Sequence, residues 1–204
     1  MGLQVDPPFG LGQTLGITTP NDSLVGISGS YGDNWVGAVK EFTDVNAITG
    51  QLRSNRRKVC IAVRNTSGAA LLPKRVVRLA GSGTALFGAA DGYSAVTNDA
   101  FVGVVDEFLP AAGVAANDVF WVTVDGPTEV AVALSGSDIT VRAALSVITA
   151  ATSGATSAGR VTLSPLSSST AGANDNGIGV IAFAASTGQT TGSAVLALVK
   201  TRAS

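Results

Sequence analysis

From Lys58 onward the chain is written in apolar runs of four to seven residues, each ended by small or polar residues. Runs that short and that rich in β-branched side chains predict strands rather than helices. In Lys58-Val59-Cys60-Ile61-Ala62-Val63-Arg64 the alternation puts Val59, Ile61 and Val63 on one face of a strand, with Lys58 and Arg64 on the other. Similar runs span Arg75 to Leu79, Phe101 to Val105, Val119 to Val124, Glu129 to Leu134, Ile139 to Arg142, Ile178 to Ala184 and Ala194 to Val199. Eight of them predict an all-β body, a β-barrel or a β-sandwich. Asp125-Gly126-Pro127 lies between two runs and Thr66-Ser67-Gly68 follows another, turn chemistry that predicts hairpins. Arg142 to Thr152 has the Ala and Leu of a short helix, but the β-branched Val147, Ile148 and Thr149 favour an extended chain.

Residues 1–55 differ in texture. Pro7, Pro8, Pro20 and scattered glycines interrupt any period of two or 3.6. Phe9, Leu11, Leu15, Leu24, Val25, Tyr31, Trp35, Val36 and Phe42 nevertheless supply apolar anchors that a solvated tail lacks. The reading is an extended N-terminal arm over 1–55 that orders against a partner, followed by a β-rich body over 56–204. Within the body, Asn98-Asp99-Ala100-Phe101-Val102-Gly103-Val104-Val105 is echoed by Asn174-Asp175-Asn176-Gly177-Ile178-Gly179-Val180-Ile181, a spacing of 76 residues from Asp99 to Asp175. Each copy leads through small residues to a second apolar run, Val119 to Val122 and Val195 to Leu198. The body is thus read either as two related β modules, about 56–133 and 134–204, or as one barrel built from two halves. The Gly between apolar residues admits a close neighbouring backbone or a bulge.

Composition narrows the chemistry. The chain has no His, which removes the usual general base, the Ser-His-Asp and Cys-His arrangements and the commonest transition-metal ligand. Cys60 alone forms neither an intrachain disulfide nor a zinc cluster, and its strand position reads as packing. Gly81-Ser82-Gly83-Thr84-Ala85-Leu86-Phe87-Gly88 matches no phosphate-binding fingerprint. Asp106-Glu107, with Asp91, Asp99, Asp118 or Asp125 as a second carboxylate, is the one arrangement suited to glycoside chemistry, and reads better as a strand edge. The expectation is a non-enzymatic chain with no cofactor and no bound metal. Charged residues make up only 13% of the chain against about 25% in ordinary domains. A surface of Ser, Thr, Ala and Gly suits contact with other subunits. No run reaches the roughly 18 apolar residues of a membrane helix, so no membrane partner is expected.

The charges are segregated. Lys40, Arg53, Arg56, Arg57, Lys58, Arg64, Lys74, Arg75 and Arg78 precede an acidic middle of Asp91, Asp99, Asp106, Glu107, Asp118, Asp125, Glu129 and Asp138. That polarity predicts head-to-tail contacts between copies. Arg53, Arg56, Arg57 and Lys58 are read as partner contacts, with Trp35 or Phe42 filling a partner's pocket. Without interleaved aromatics, and in a chain of net charge −1, the basic run is not read as a nucleic-acid site.

The stretch from Asn65 to Val132 resembles the small β-barrel decoration, or cement, proteins of tailed-bacteriophage capsids. The matching texture is Asn65-Thr66-Ser67-Gly68, Leu72-Pro73-Lys74-Arg75-Val76-Val77-Arg78-Leu79, Phe101-Val102-Gly103-Val104-Val105 and Val119-Phe120-Trp121-Val122-Thr123-Val124-Asp125-Gly126. The resemblance implies a virion protein made in the host cytoplasm. It implies binding to the major capsid protein on the outer capsid surface, as a homotrimer, and stabilisation of the shell. The long half from Gly136 to Ser204 departs from a single small module. The competing reading is a carbohydrate or host-receptor binding module of a virion tail or fibre, for which two Trp and two Tyr make a sparse stacking platform.

Overall fold

The computed structural model describes residues 7, 9–16, 35–80, 88–94, 101–133, 139–147, 158–163, 180–186 and 194–200. Among these residues there is no α-helix. The strands are β1 (Val39–Val45), β2 (Leu52–Asn65), β3 (Val76–Leu79), β4 (Ala89–Tyr93), β5 (Val102–Val105), β6 (Val119–Ala131), β7 (Ala144–Val147), β8 (Val161–Leu163), β9 (Val180–Ala184) and β10 (Ala194–Lys200). The all-β expectation holds.

The pairings close on themselves twice. β2 runs parallel to β4, β4 pairs with β3, β3 with β5, β5 with β6, and β6 returns to β2. Closure of these five strands removes exposed ladder edges. β6 also pairs with β10, β10 with β9, β9 with β7 and β7 with β8, while Val161 of β8 bridges Val132 just beyond β6. Two strand rings therefore share β6.

Alternation along the strands fills both rings. Val63, Leu71, Val77, Leu79, Val105, Phe120 and Val122 form the core of the first. Val130, Ile139, Leu145, Val161, Val195 and Val199 form the core of the second, joined by Val76, Val102 and Val104 from the opposite faces of β3 and β5. All four residues of β5 are buried, which is why it lacks a polar residue. A Cβ at Gly103 would lie 3.0 Å from the Val122 side chain, so the close neighbour inferred for this glycine is β6.

The sharing explains a misread turn. Asp125-Gly126-Pro127 lies inside one continuous strand, β6, and does not end a hairpin. Pairing with β2 stops at Val59↔Asp125, and pairing with β10 runs from Lys200↔Asp125 to Ala194↔Ala131. Gly126 has φ +100°, and a Cβ there would stand 2.4 Å from the Arg57 carbonyl oxygen. Glycine lets β6 bend from one ring into the other against β2.

A second device recurs at three strand starts. Leu71, Val114 and Ile139 are buried, and each is followed three residues later by a residue with positive φ: Lys74 (64°), Asn117 (73°) and Arg142 (70°). Two residues further on, β3, β6 and β7 begin. Asp118 N donates to Ala115 O at 3.2 Å and Ala143 N to Thr140 O at 3.1 Å, closing turns of the kind that need positive φ at the third position. The run read as a strand from Ile139 to Arg142 is thus a lead-in and turn, and the strand is Ala144–Val147.

β3 to β6 and β7 to β10 follow the same plan. Their orders are β4-β3-β5-β6 and β8-β7-β9-β10, all antiparallel, and they meet where β6 pairs with β10. The echoed motif falls on corresponding strands, β5 with β6 and β9 with β10. Val122 faces Val105, whereas its counterpart Leu198 faces Phe183, two residues beyond the strict equivalent Ile181. A shift of two keeps each side chain on its own face. Residues 98–100 and 174–179 of the motif lie outside the described residues. The boundary read at residue 56 falls within β2, which with β1 stands outside the repeated plan.

Candidate functional site

β1 and the first half of β2 form a hairpin that pairs only with itself from Val45↔Leu52 to Thr43↔Arg57. Asn46 makes its turn: Oδ1 accepts from Ile48 N at 2.8 Å and from Thr49 N at 3.0 Å, and the Asn46 carbonyl accepts from Gly50 N at 2.8 Å. Residues 39–55 therefore belong to the sheet and not to an arm. Their period-two pattern, Lys40, Phe42 and Asp44 inward and Val39, Glu41 and Thr43 outward, was legible in the sequence, but charged residues on the inward face disguised it.

The inward face rests on a buried charge cluster. Asp44 accepts from Arg53 Nη2 at 2.6 Å, Arg53 Nε at 2.9 Å and Ser54 Oγ at 2.7 Å. Arg53 also reaches Glu107 at 2.9 Å and Glu129 at 3.5 Å, Lys58 pairs with Glu107, and Lys74 meets Glu129 at 2.6 Å. Three cations face three carboxylates, so the cluster is balanced. Burial alone would lower the Arg53 guanidinium, but hydrogen bonds to Asp44 and Glu107 outweigh it and raise Arg53 above its ordinary range. Lys58 Nζ lies 5.2 Å from the centre of the Phe108 ring.

This geometry corrects two expectations. Arg53 and Lys58 are not partner-facing, because Lys58 is buried, Arg53 is largely covered, and both are spent on Glu107, Asp44 and Glu129. The complementarity of the basic stretch and the acidic middle operates inside one chain, with Arg78 on Asp91 at 2.9 Å as a further example. Arg56 and Arg57 are exposed, and Arg57 pairs with Glu41 at 2.7 Å across the hairpin.

Beside the cluster, residues 9–16 lie along β6. Phe9 is buried and stacks on Trp121, ring centres 4.7 Å apart, and Trp121 Nε1 donates to the Phe9 carbonyl at 3.3 Å. Leu15 and Val119 exchange backbone hydrogen bonds of 2.9 Å. Gly12 N donates to Asp106 Oδ2 at 2.5 Å, and Phe108 N to Asp106 Oδ1 at 3.1 Å. Burial raises the Asp106 carboxyl to about 6 against these bonds. Asp106 and Glu107 thus anchor the N-terminal segment and the hairpin. Trp35 and Phe42 pack in the same cluster, Phe42 edge-on to Trp121 at 5.3 Å, so the structure places these rings in this chain's own core. Leu24, Val25 and Tyr31 lie outside the described residues. Cys60 is buried and its thiol is pushed up to about 12 by burial, which leaves it inert.

No protein-family model and no curated protein matches the sequence. Among solved structures, the chain is similar to one described as the crystal structure of the head fiber gp8.5 N base in bacteriophage phi29. The TM-score is 0.38 and the identity 14%, with 70% of this chain and 94% of that chain covered.

The hairpin exposes apolar side chains among charged and polar ones. Among the described residues the exposed large hydrophobic side chains are Val39, Ile48, Leu52, Val141 and Phe183, and the first three sit on this hairpin. Ile48, at the tip, is 91% exposed. A rigid base and an exposed Ile48 at the tip suit binding, since little conformational freedom is lost on docking.

Proposed function

We propose that the chain is a structural virion protein that binds the outer surface of an assembled tailed-phage capsid, through the major capsid protein, and stabilises the shell as a homotrimer. The β1–β2 hairpin is the docking element. The observation that carries this reading is the concentration of exposed apolar side chains on a hairpin whose base is locked by a buried ion cluster. The decoration-protein texture of Asn65 to Val132 supplies the partner class. Stabilisation needs no reacting group: a protein that binds the assembled lattice better than its separate parts shifts the equilibrium toward the shell.

Burying Ile48 and Leu52 in a partner contributes about 1.5–3 kcal/mol each. Ile48→Asp should therefore lower capsid affinity more than about tenfold. As an exposed substitution it should leave stability within about 0.5 kcal/mol. Co-sedimentation with capsids lacking the protein measures occupancy, and the mass in solution measures the oligomer. Saturation at a fixed ratio by wild type and loss in Ile48→Asp supports the reading. Equal occupancy by both removes the hairpin from the interface, and a monomer indifferent to capsids removes the function.

A further inference from the structure

Resting on the homotrimer reading above, we infer that the outer face of β7, β9 and β10, centred on Phe183, is the surface through which copies of this chain meet around the three-fold axis. The repeated plan of the chain shows what covers such a face. Val76 opens β3 two residues after Lys74, and Ala144 opens β7 two residues after Arg142. Val76 pairs with Val104 and Ala144 with Phe183, so Phe183 holds on β9 the place that Val104 holds on β5. On the next strand the partner of Val104 is Thr123 of β6, and the partner of Phe183 is Leu198 of β10. In the first unit this face is closed: Val76, Val102 and Val104 are buried because the core of the second ring lies on them. In the second unit the same face is open, with Ala144, Leu196 and Leu198 half-buried and Phe183 51% exposed.

The open face is apolar and uncharged. Leu198 stands beside Phe183 across the strand pair, and Leu196 lies two residues along on the same side. Val141, also exposed, sits on the turn that Arg142 N ties to Ala184 O at 2.7 Å. The flanking Glu129, opposite Leu196, is already paired with Lys74 at 2.6 Å. Around a symmetry axis a surface meets its own copies, so like charges there repel each other while apolar side chains do not. The hairpin, which exposes Glu41, Arg56 and Arg57 beside its apolar side chains, lacks that self-compatibility. Packing of copy on copy at Phe183 thus repeats between chains what the second unit does to the first within one chain.

The test is the mass of the full chain in solution. Wild type should run at three times 20.3 kDa. Phe183→Glu, which brings one carboxylate per copy to the contact, should run at 20.3 kDa with wild-type circular dichroism, its association weakened at least about a hundredfold. Ile48→Asp, on the hairpin, should remain trimeric. Because a charge on a strand can disturb folding, Phe183→Cys tests the contact separately. Cys60, the single cysteine of the chain, is buried, so mild oxidation should join two copies of this variant and none of wild type. A trimeric Phe183→Glu, or a trimeric Phe183→Cys that forms no disulfide between copies, overturns the contact and leaves the homotrimer standing. A wild-type chain that runs at 20.3 kDa at every concentration overturns the homotrimer reading and the contact with it.

Discussion

Asp106 gives the fold a pH signature opposite to that of most paired carboxylates. Its carboxyl is 2% exposed, next to Lys58 and Glu107, and burial raises it from 3.8 to about 6 despite the N–H groups of Gly12 and Phe108. The folded state therefore holds this proton more tightly than the unfolded chain. The stability it contributes is complete below about pH 4 and is lost as pH rises through 6. A shift of about two units at 1.36 kcal/mol per unit amounts to about 3 kcal/mol across that window. Asp106→Asn keeps the shape and removes the ionisation, at the expense of one of the two accepted hydrogen bonds, about 1 kcal/mol at every pH. Urea unfolding of both proteins at pH 4.0 and pH 7.5, values bracketing about 4 to 6, isolates the group, because all other titrations cancel in the difference. The stability of the Asn variant relative to wild type should improve by about 3 kcal/mol between the two. A difference that stays constant with pH would refute the coupling of Asp106 burial to folding.

Glu107→Ala strands Arg53 and Lys58 in a buried cluster and should cost about 3–5 kcal/mol in urea unfolding. A loss below about 1 kcal/mol would mean that water reaches these cations. Gly126→Ala combines a φ of +100° with a Cβ 2.4 Å from Arg57 O, and should destabilise by at least about 2 kcal/mol. A neutral effect there would show that β6 does not bend against β2. Phe9→Ala removes the ring stacked on Trp121 and should cost about 3–5 kcal/mol if residues 9–16 unfold with the body. Tryptophan emission that shifts red while the global midpoint stays fixed would instead mark this segment as a separate folding unit.

The strands legible in the sequence were those whose burial is one-sided or complete. Val59, Ile61 and Val63 alternate, and Val119 to Val122 run apolar throughout, so β2 and β6 announce themselves. β1 stayed hidden because its inward positions are Lys40, Phe42 and Asp44, and a charge cluster reads as polarity until its partners are known. Those partners, Glu107 and Glu129, lie 54 and 76 residues from Arg53, a separation no local pattern reports. The same limit applies to the partner-contact assignment. Arg53 and Lys58 belong to the cluster and Arg56 and Arg57 to the surface, although all four stand in one basic run, because between them β2 crosses from the body into the hairpin and shifts its register against β1.

Local chemistry misled most where one element serves two structures. An Asp-Gly-Pro sequence ordinarily ends a strand, since Gly supplies positive φ and Pro lacks an N–H. In β6 the same positive φ bends a strand that continues, because β2 ends its pairing at Asp125, where that of β10 begins. The three turns at Lys74, Asn117 and Arg142 show the converse: positive φ without glycine, imposed by a buried apolar residue three positions earlier and a strand two positions later. Backbone conformation in both cases is set by which rings the flanking strands must enter. If that is so, Arg142→Gly should stabilise the fold, by up to about 1 kcal/mol, by relieving the left-handed penalty of a side chain, whereas Lys74→Gly also gives up the pair with Glu129. Gly126→Ala should act in the opposite sense. A loss of stability in Arg142→Gly would mean that the Arg142 side chain, and not the strand geometry around it, holds that turn.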